Sequence, residues 1–155
     1  MASVHSINLS NGGVPKTAVQ TASISSKGIA GDRQAKPGIH GGIYKAVSLF
    51  SLEVIQSLAT DGHPIAPGSA GENITVTGLD WTTLLPATVL QIGAAVQLKI
   101  SMFATPCASI TGCFSDGDFM RLHHSNPGQS RVYAQVLKPG EIRIGDKVQI
   151  LQVPV

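Results

Sequence analysis

Charge, aromatic rings and cysteine are all scarce in this sequence of 155 residues. Charged residues make up only 13%, and the eleven basic residues are scattered, so the basic stripe that nucleic-acid binding requires is missing. No apolar run approaches the roughly 18 residues of a membrane span. The opening stretch MASVHSINLSNGG lacks the charged-then-apolar pattern of a secretion signal. We therefore expect a cytoplasmic protein that binds neither nucleic acid nor membrane.

The two cysteines, Cys107 and Cys113, are too few for a disulfide scaffold, and they form no grouping typical of zinc. A lone cysteine is more often a small buried hydrophobe than a reactive thiol, and Cys113 fits that description. Cys107 differs because it follows Pro106 at the end of a predicted strand and precedes Ala108 and Ser109, which could open a short helical turn where a thiolate can be stabilised. We expect both thiols to be free.

Seventeen glycines and nine prolines are spread along the whole chain, and hydrophobic residues make up 43% of it. This punctuation is typical of many short strands, and the length suits a single domain over 1–155. Closure would hide the strand edges, so we predict a mainly β, barrel-like fold with two or three short helices. Predicted strands cover 4–9, 16–20, 46–50, 74–77, 88–92, 96–102, 131–137 and 148–151, and predicted helices cover 52–58, capped by Ser51, and 116–124.

Four loops carry the residues suited to chemistry: Gly31-Asp32-Arg33, His40-Gly41-Gly42 with Lys45, the GSAGEN segment at 68–73, and Thr105-Pro106-Cys107. Glycines let backbone N–H groups approach a ligand, and arginine and lysine suit an anion. The alternative is that the glycines only make turns and that Asp32 and Arg33 are a solvated pair. No paired acids or nucleophile elbow indicate a hydrolase, and adjacent histidines at 123–124 do not share a helix face for a metal.

Taken in order, these segments resemble the MOSC domain, the C-terminal domain of molybdenum cofactor sulfurases, in its small stand-alone bacterial type. The resemblance rests on GDRQ at 31–34, HGGIYKAVSLFS at 40–51, GENITVTGL at 71–79, TPC at 105–107 and YAQVLKPGEIRIGDKVQIL at 133–151. It covers nearly the entire chain. It implies a MOSC-type β-barrel, or pseudobarrel, and the molybdenum cofactor (molybdopterin) as ligand.

The resemblance also implies roles for individual residues. The marked cysteine of the family falls on Cys107, which would ligate molybdenum or carry a persulfide. Gln135 stands where many relatives have arginine, and Arg131, on the same face of the strand, could compensate. The remaining implied contacts are Arg33 and Lys45 to the pterin phosphate, His40, Gly41 and Gly42 to the pterin region, and Asn73 to the cofactor.

Three functions remain open. The first is an oxidoreductase that reduces N-hydroxylated compounds at Cys107-bound molybdenum; the chain has no iron-sulfur or dinucleotide motif, so a separate electron-donor protein is expected. The second is a sulfur carrier that holds a persulfide on Cys107, supplied by a cysteine desulfurase, since no pyridoxal phosphate site of its own is expected. The third is a cofactor-binding protein without chemistry. A monomer or a homodimer fits each.

Overall fold

The computed structural model of the protein describes residues 1–10, 14, 16–32 and 42–154. Short strands dominate these residues, so the predicted mainly β fold is confirmed. Within them, one α-helix, α1, covers Leu52–Thr60, and 3-10 helices cover Ile43–Lys45, Trp81–Thr83, Ala108–Cys113 and Phe119–Leu122. The strands are β1 (Ser3–Leu9), β2 (Thr17–Val19), β3 (Thr21–Ser25), β4 (Gly28–Ile29), β5 (Val47–Ser51), β6 (Ile74–Thr77), β7 (Val89–Ile92), β8 (Val96–Phe103), β9 (Val132–Lys138), β10 (Gly140–Arg143) and β11 (Val148–Gln152).

Eight of these strands form one sheet in the order β11-β7-β8-β9-β5-β6-β1-β2. Its neighbours run antiparallel except β5 and β6, which are parallel. The start of β1 returns to the start of β11: Val148 N donates to Ala2 O over 3.0 Å, and Val4 N donates to Asp146 O over 2.8 Å. These bonds bridge the sheet without a continuous ladder, so the sheet is a nearly closed barrel.

Strand β5 separates two apolar cores. Consecutive side chains of a strand point to opposite faces, and Val47 and Leu49 lie in the core inside the curled sheet. Phe50 points the other way, into a second core against α1, which also contains Ile110 and Cys113. The strand is thus covered on both faces, and its apolar residues Val47, Leu49 and Phe50 are fully buried. The strand also contains Ser48, whose backbone lies at the end of the sheet where the candidate site is found.

Helix α1 begins as the sequence predicts. Ser51 Oγ accepts a hydrogen bond from Val54 N over 3.2 Å, which satisfies one of the free N–H groups of the first turn. Leu52, Val54, Ile55 and Leu58 are buried on one face of the helix. The strands at β1, β2, β5 to β9 and β11 also match the predicted segments to within a few residues.

The sequence interpretation missed a second, three-stranded sheet with the order β10-β3-β4. Strand β4 lies just before the predicted loop Gly31-Asp32-Arg33 and is not among the predicted strands. Gly28 there has φ of 114°, and a Cβ on it would lie 2.5 Å from Ala46 O, so this glycine allows a close strand approach rather than a turn. The segment 116–124 forms only the four-residue 3-10 helix, Phe119–Leu122, instead of a longer helix.

Candidate functional site

Cys107 lies just beyond the end of β8, as the sequence predicts. Ala104 N donates to Arg131 O over 2.9 Å, so the end of β8 and the start of β9 stay paired there. The chain then leaves the sheet through Thr105 and Pro106, and Cys107 has an extended backbone before the Ala108–Cys113 3-10 helix. Its side chain is partly exposed, and its Sγ lies 2.8 Å from Ser109 Oγ. The thiol can therefore be reached from solvent and is held in position by a neighbouring hydroxyl.

Arg131 directs its guanidinium across the start of β9 toward the 68–73 loop. Its Nη1 donates to Ala70 O over 2.8 Å. Its Nε is buried and has no hydrogen-bond partner among the described residues, which is unusual for a buried donor. Burial lowers the pKa of Arg131, while electrostatic interaction with the ionised forms of Tyr133, Glu72 and Cys107 acts to raise it. The positive charge of the guanidinium therefore interacts with all three of these groups.

Two further side chains, Tyr133 and Lys45, continue the site next to Arg131, and Lys45 adds a second positive charge. Arg131 directly precedes β9 and Tyr133 is the second residue of that strand, so the alternation of the extended chain sends both side chains to the same face. Lys45 Nζ lies 5.5 Å from the centre of the Tyr133 ring, within the range of a cation–π contact. Burial raises the pKa of Tyr133, which keeps its phenol neutral and able to donate. The 3-10 helix that carries Lys45 begins after Gly42, which is exposed and has φ of 98°.

The 68–73 loop is held by hydrogen bonds to its backbone oxygens from several parts of the fold. The donor for Ala70 is the guanidinium of Arg131 described above. The other oxygens accept bonds of 2.7 to 3.4 Å: Gly68 from Lys16 N, Ser69 from the Cys113 thiol, Gly71 from Ser48 Oγ, Glu72 from Asn8 Nδ2 and Asn73 from Asn8 N. The loop is therefore fixed by contacts with β1, with β5 and with the 3-10 helix that ends at Cys113. We call this loop and its bonded neighbours the hub.

Asn73 is buried within this hub. Its Oδ1 accepts from Ser48 N over 2.9 Å, and its Nδ2 donates to Asp32 Oδ2 over 2.9 Å. Asp32 Oδ1 in turn accepts from Lys16 Nζ over 2.6 Å, and both of these charged side chains are almost fully buried. Asn73 thus positions the residue before Arg33 through its own side chain.

Glu72 and Cys113 form the interior side of the hub. Glu72 is fully buried, and its Oε2 accepts from Gly68 N over 3.0 Å and from Thr75 Oγ1 over 2.8 Å. Burial raises the pKa of the Glu72 carboxyl and that of the Cys113 thiol. Cys113 is a buried free thiol, so the prediction that it is a small buried hydrophobe is confirmed.

The structure brings four of the predicted residues to one region: Cys107, Arg131, Lys45 and, at its edge, Gly42. Arg33, His40 and Gly41 lie outside the described residues. Tyr133 and Glu72 were not predicted as site residues. The alternation of 131, 133 and 135 along β9 contained a signal for Tyr133, whereas nothing in the local pattern around Glu72 indicates its burial beside an arginine.

No three acidic, cysteine or histidine side chains come together as metal ligands anywhere in the described part of the chain. His123 and His124 lie elsewhere, with the His124 ring stacked on Phe103 at 5.1 Å. A cleft of about 120 Å³ beside this stack contains none of the predicted site residues, and it is smaller than the roughly 300 Å³ at which ligand pockets begin. Across the described residues, no helix is both long enough and apolar enough to cross a membrane.

Comparisons with known proteins agree with this architecture. A family model described as MOSC domain matches residues 36–149. The uncharacterized protein YflK of Bacillus subtilis (strain 168) is 29% identical over 122 residues, which are 78% of this chain and 54% of YflK. The chain therefore spans about half the length of this curated relative.

Solved structures with the same fold include two proteins called YiiM. YiiM from Geobacillus stearothermophilus gives a TM-score of 0.79 at 21% identity, over 98% of this chain and 76% of that chain. YiiM from Escherichia coli gives 0.71 at 19% identity, over 98% and 70%. The YUAD protein from Bacillus subtilis gives 0.74 at 17% identity, over 96% and 94%. At these identities the likeness supports the fold alone.

Proposed function

This chain belongs to the MOSC domain family, and from that premise we propose that it binds the molybdenum cofactor through Cys107 and reduces N-hydroxylated compounds. The family is associated with molybdenum cofactor binding. The observation that carries the proposal is the partly exposed Cys107 thiol in the electrostatic reach of Arg131, whose buried Nε has no partner among the described residues.

The residues at this site fit a cofactor that combines a soft metal with an anionic group. A thiolate is a soft ligand, and Cys107 offers one at an accessible position. A buried guanidinium N–H without an acceptor is costly, and an anionic oxygen would satisfy it. Lys45 adds a second positive charge beside Tyr133. The metal and the anionic group of the proposed ligand are therefore each matched by residues of the site.

Each residue has a distinct task in this proposal. Cys107 would hold the metal through its sulfur, and Ser109 Oγ orients that sulfur from 2.8 Å. Arg131 and Lys45 would bind the phosphate, together with Arg33. Tyr133 would keep a neutral hydroxyl near the anion. We assign pterin contacts to His40, Gly41 and Gly42, and Asn73 contributes by fixing the loop that borders the cofactor.

The proposed reaction needs electrons from elsewhere. When bound, the cofactor supplies a redox centre for cleavage of the N–O bond, in which two electrons and two protons convert the N-hydroxyl compound to the amine or amidine and water. No residue of the site can supply electrons, so a separate donor protein would deliver them. Arg131 and Lys45 would help by stabilising negative charge on the bound cofactor.

Metal analysis of anaerobically purified protein tests the proposal. The wild-type chain, produced in cells that make the cofactor, should carry molybdenum close to one per chain, and Cys107→Ala should lose it because no neighbouring thiolate replaces the ligand. Cys113→Ala is the matched control and should retain it. With an amidoxime and a chemical reductant, only the loaded proteins should form amidine. Equal molybdenum in wild type and Cys107→Ala would contradict the assignment.

The accessible thiol also supports a second candidate, a sulfur carrier with a persulfide on Cys107. The sulfane sulfur would come from a cysteine desulfurase and pass to an acceptor thiolate, leaving Cys107 as the free thiolate. Mass spectrometry after incubation with a desulfurase and cysteine should then show a gain of one sulfur atom on the Cys107 peptide and none on the Cys113 peptide. A sulfur gain without molybdenum would favour this candidate. Molybdenum without amidoxime reduction would favour a binding protein without chemistry.

A further inference from the structure

The fully buried carboxyl of Glu72 is only half satisfied. Its Oε2 accepts bonds from Gly68 N and Thr75 Oγ1, but its Oε1 is buried and has no hydrogen-bond partner in the part of the chain that is described. Buried polar atoms are nearly always paired, so an orphaned carboxyl oxygen calls for a physical reason. A carboxyl that served only to hold the loop would need no more than Oε2.

The guanidinium of Arg131 has an unpaired donor, just as the Glu72 carboxyl has an unpaired acceptor. Its Nε is also buried without a partner among the described residues, and its charge interacts with that of Glu72. The two groups are linked through one short loop, because Arg131 Nη1 binds Ala70 O and Glu72 lies two residues further along. A donor and an acceptor, each with an unused position, therefore border the same loop.

We propose that Glu72 is a positioning residue that couples anion binding at Arg131 to the uptake of one proton. Neutral Glu72 leaves the positive charge of Arg131 available to an anion, whereas the ionised carboxylate competes for that charge. The proposal rests on the proposed function in taking Arg131 as an anion contact. It goes further by making the hold on the anion depend on pH through a residue that does not touch the ligand.

The charges around Glu72 determine the direction of this coupling. Burial raises the pKa of the carboxyl, and the Arg131 charge lowers it. Among the described residues, the Cys113 thiol also interacts with the carboxyl, and burial raises the pKa of that thiol and keeps it neutral. An anion bound at Arg131 offsets the positive charge that favours ionised Glu72, so the carboxyl takes up a proton from solvent. By reciprocity, anion affinity falls as pH rises through the titration of Glu72.

Sulfate titrations of the whole chain test the coupling, because sulfate keeps its charge from pH 5.5 to 8.5. We expect the wild-type dissociation constant, followed by amide chemical shifts, to rise about tenfold over this range, which corresponds to about one pKa unit of coupling. Glu72→Gln should give a markedly flatter profile. Glu141→Gln, which removes an exposed carboxylate on β10, is the matched control and should follow wild type. All three proteins share every other ionisable group near the site, so the difference in slope between wild type and Glu72→Gln is the readout.

Proton uptake provides a second measurement that needs no variant. Calorimetry of sulfate binding to the wild-type chain, in two buffers with different ionisation enthalpies, should show net proton uptake where the wild-type profile is steepest. No uptake, or a Glu72→Gln profile parallel to wild type, overturns the coupling. Sulfate that binds Arg131→Ala as tightly as wild type, or that does not bind wild type, overturns the anion site itself and with it both proposals.

Discussion

Arg131 donates from Nη1 to the backbone oxygen of Ala70, 2.8 Å away, and so ties the start of β9 to the loop that precedes β6. The backbone oxygen of Arg131 is occupied as well, by Ala104 N at the end of β8. The residue is therefore fixed at both ends beside the segment that leads to Cys107. Its orientation follows from the sheet and the loop.

Replacement of Arg131 by alanine should weaken anion binding by about 1.5 to 3 kcal/mol, the usual scale for a hydrogen bond to a charged group. The sulfate dissociation constant at pH 6 measures this. Arg143→Ala is the control, because that side chain is exposed on β10, and it should leave the constant unchanged. A similar loss in both variants would indicate that only net charge matters.

The two thiols should differ in alkylation by iodoacetamide. Cys107 is partly exposed, whereas Cys113 is buried and burial raises the pKa of its thiol, so its reactive thiolate is scarce near pH 8. We expect Cys107 to react clearly faster, because its exposure and the raised pKa of the Cys113 thiol act in the same direction. Peptide mass spectrometry over a time course checks the ratio. Faster labelling of Cys113 would contradict the structure.

The buried ion pair of Lys16 and Asp32 should matter more for stability than a surface pair. Their side chains are 8% and 4% exposed, so Lys16→Met leaves a buried carboxylate without its counter-charge, a change that costs about 3 to 5 kcal/mol. Urea unfolding measures the loss. Adding Asp32→Asn should recover part of it. Arg121→Met removes an exposed partner of Asp116 and should change stability far less.

The raised pKa of Glu72 also predicts how stability depends on pH. A carboxyl whose pKa is higher in the folded state contributes stability that is complete below its unfolded value, about 4.3, and is lost as pH rises through the folded value. Wild type should therefore lose stability relative to Glu72→Gln as the pH is raised. Urea unfolding of both proteins at several pH values tests this. A constant difference would mean that Glu72 binds its proton equally in the folded and unfolded states, and so that its pKa is not raised.

Local pattern was sufficient for the elements around the site. The short strand pattern of β5, the cap at Ser51 and the proline before Cys107 each depend on a few neighbouring residues, and the structure has all three as expected. The alternation along β9 also placed Arg131 and Tyr133 on one face.

What the sequence could not reveal depends on distant partners. The burial of Glu72 beside Arg131 results from the packing of a loop between β1, β5 and β9. The sequence around either residue does not indicate that the other lies nearby. The β3–β10 pair was missed because TASIS and GEIR are short and polar, and each is a strand mainly because the other supplies its hydrogen bonds. Pairing between remote segments has no signature in either segment alone.

The bridge between β1 and β11 affects the order in which the chain can fold. Ala2 and Val4 receive their partners from 146–148, so β1 must wait for a segment that is synthesised more than 140 residues later. Contacts of such long sequence separation slow folding, since most of the loop-closure entropy is lost before they form. Until then the edge of β1 that later meets β11 is open to other chains. Slow refolding and chaperone dependence during synthesis are the expected consequences of this closure.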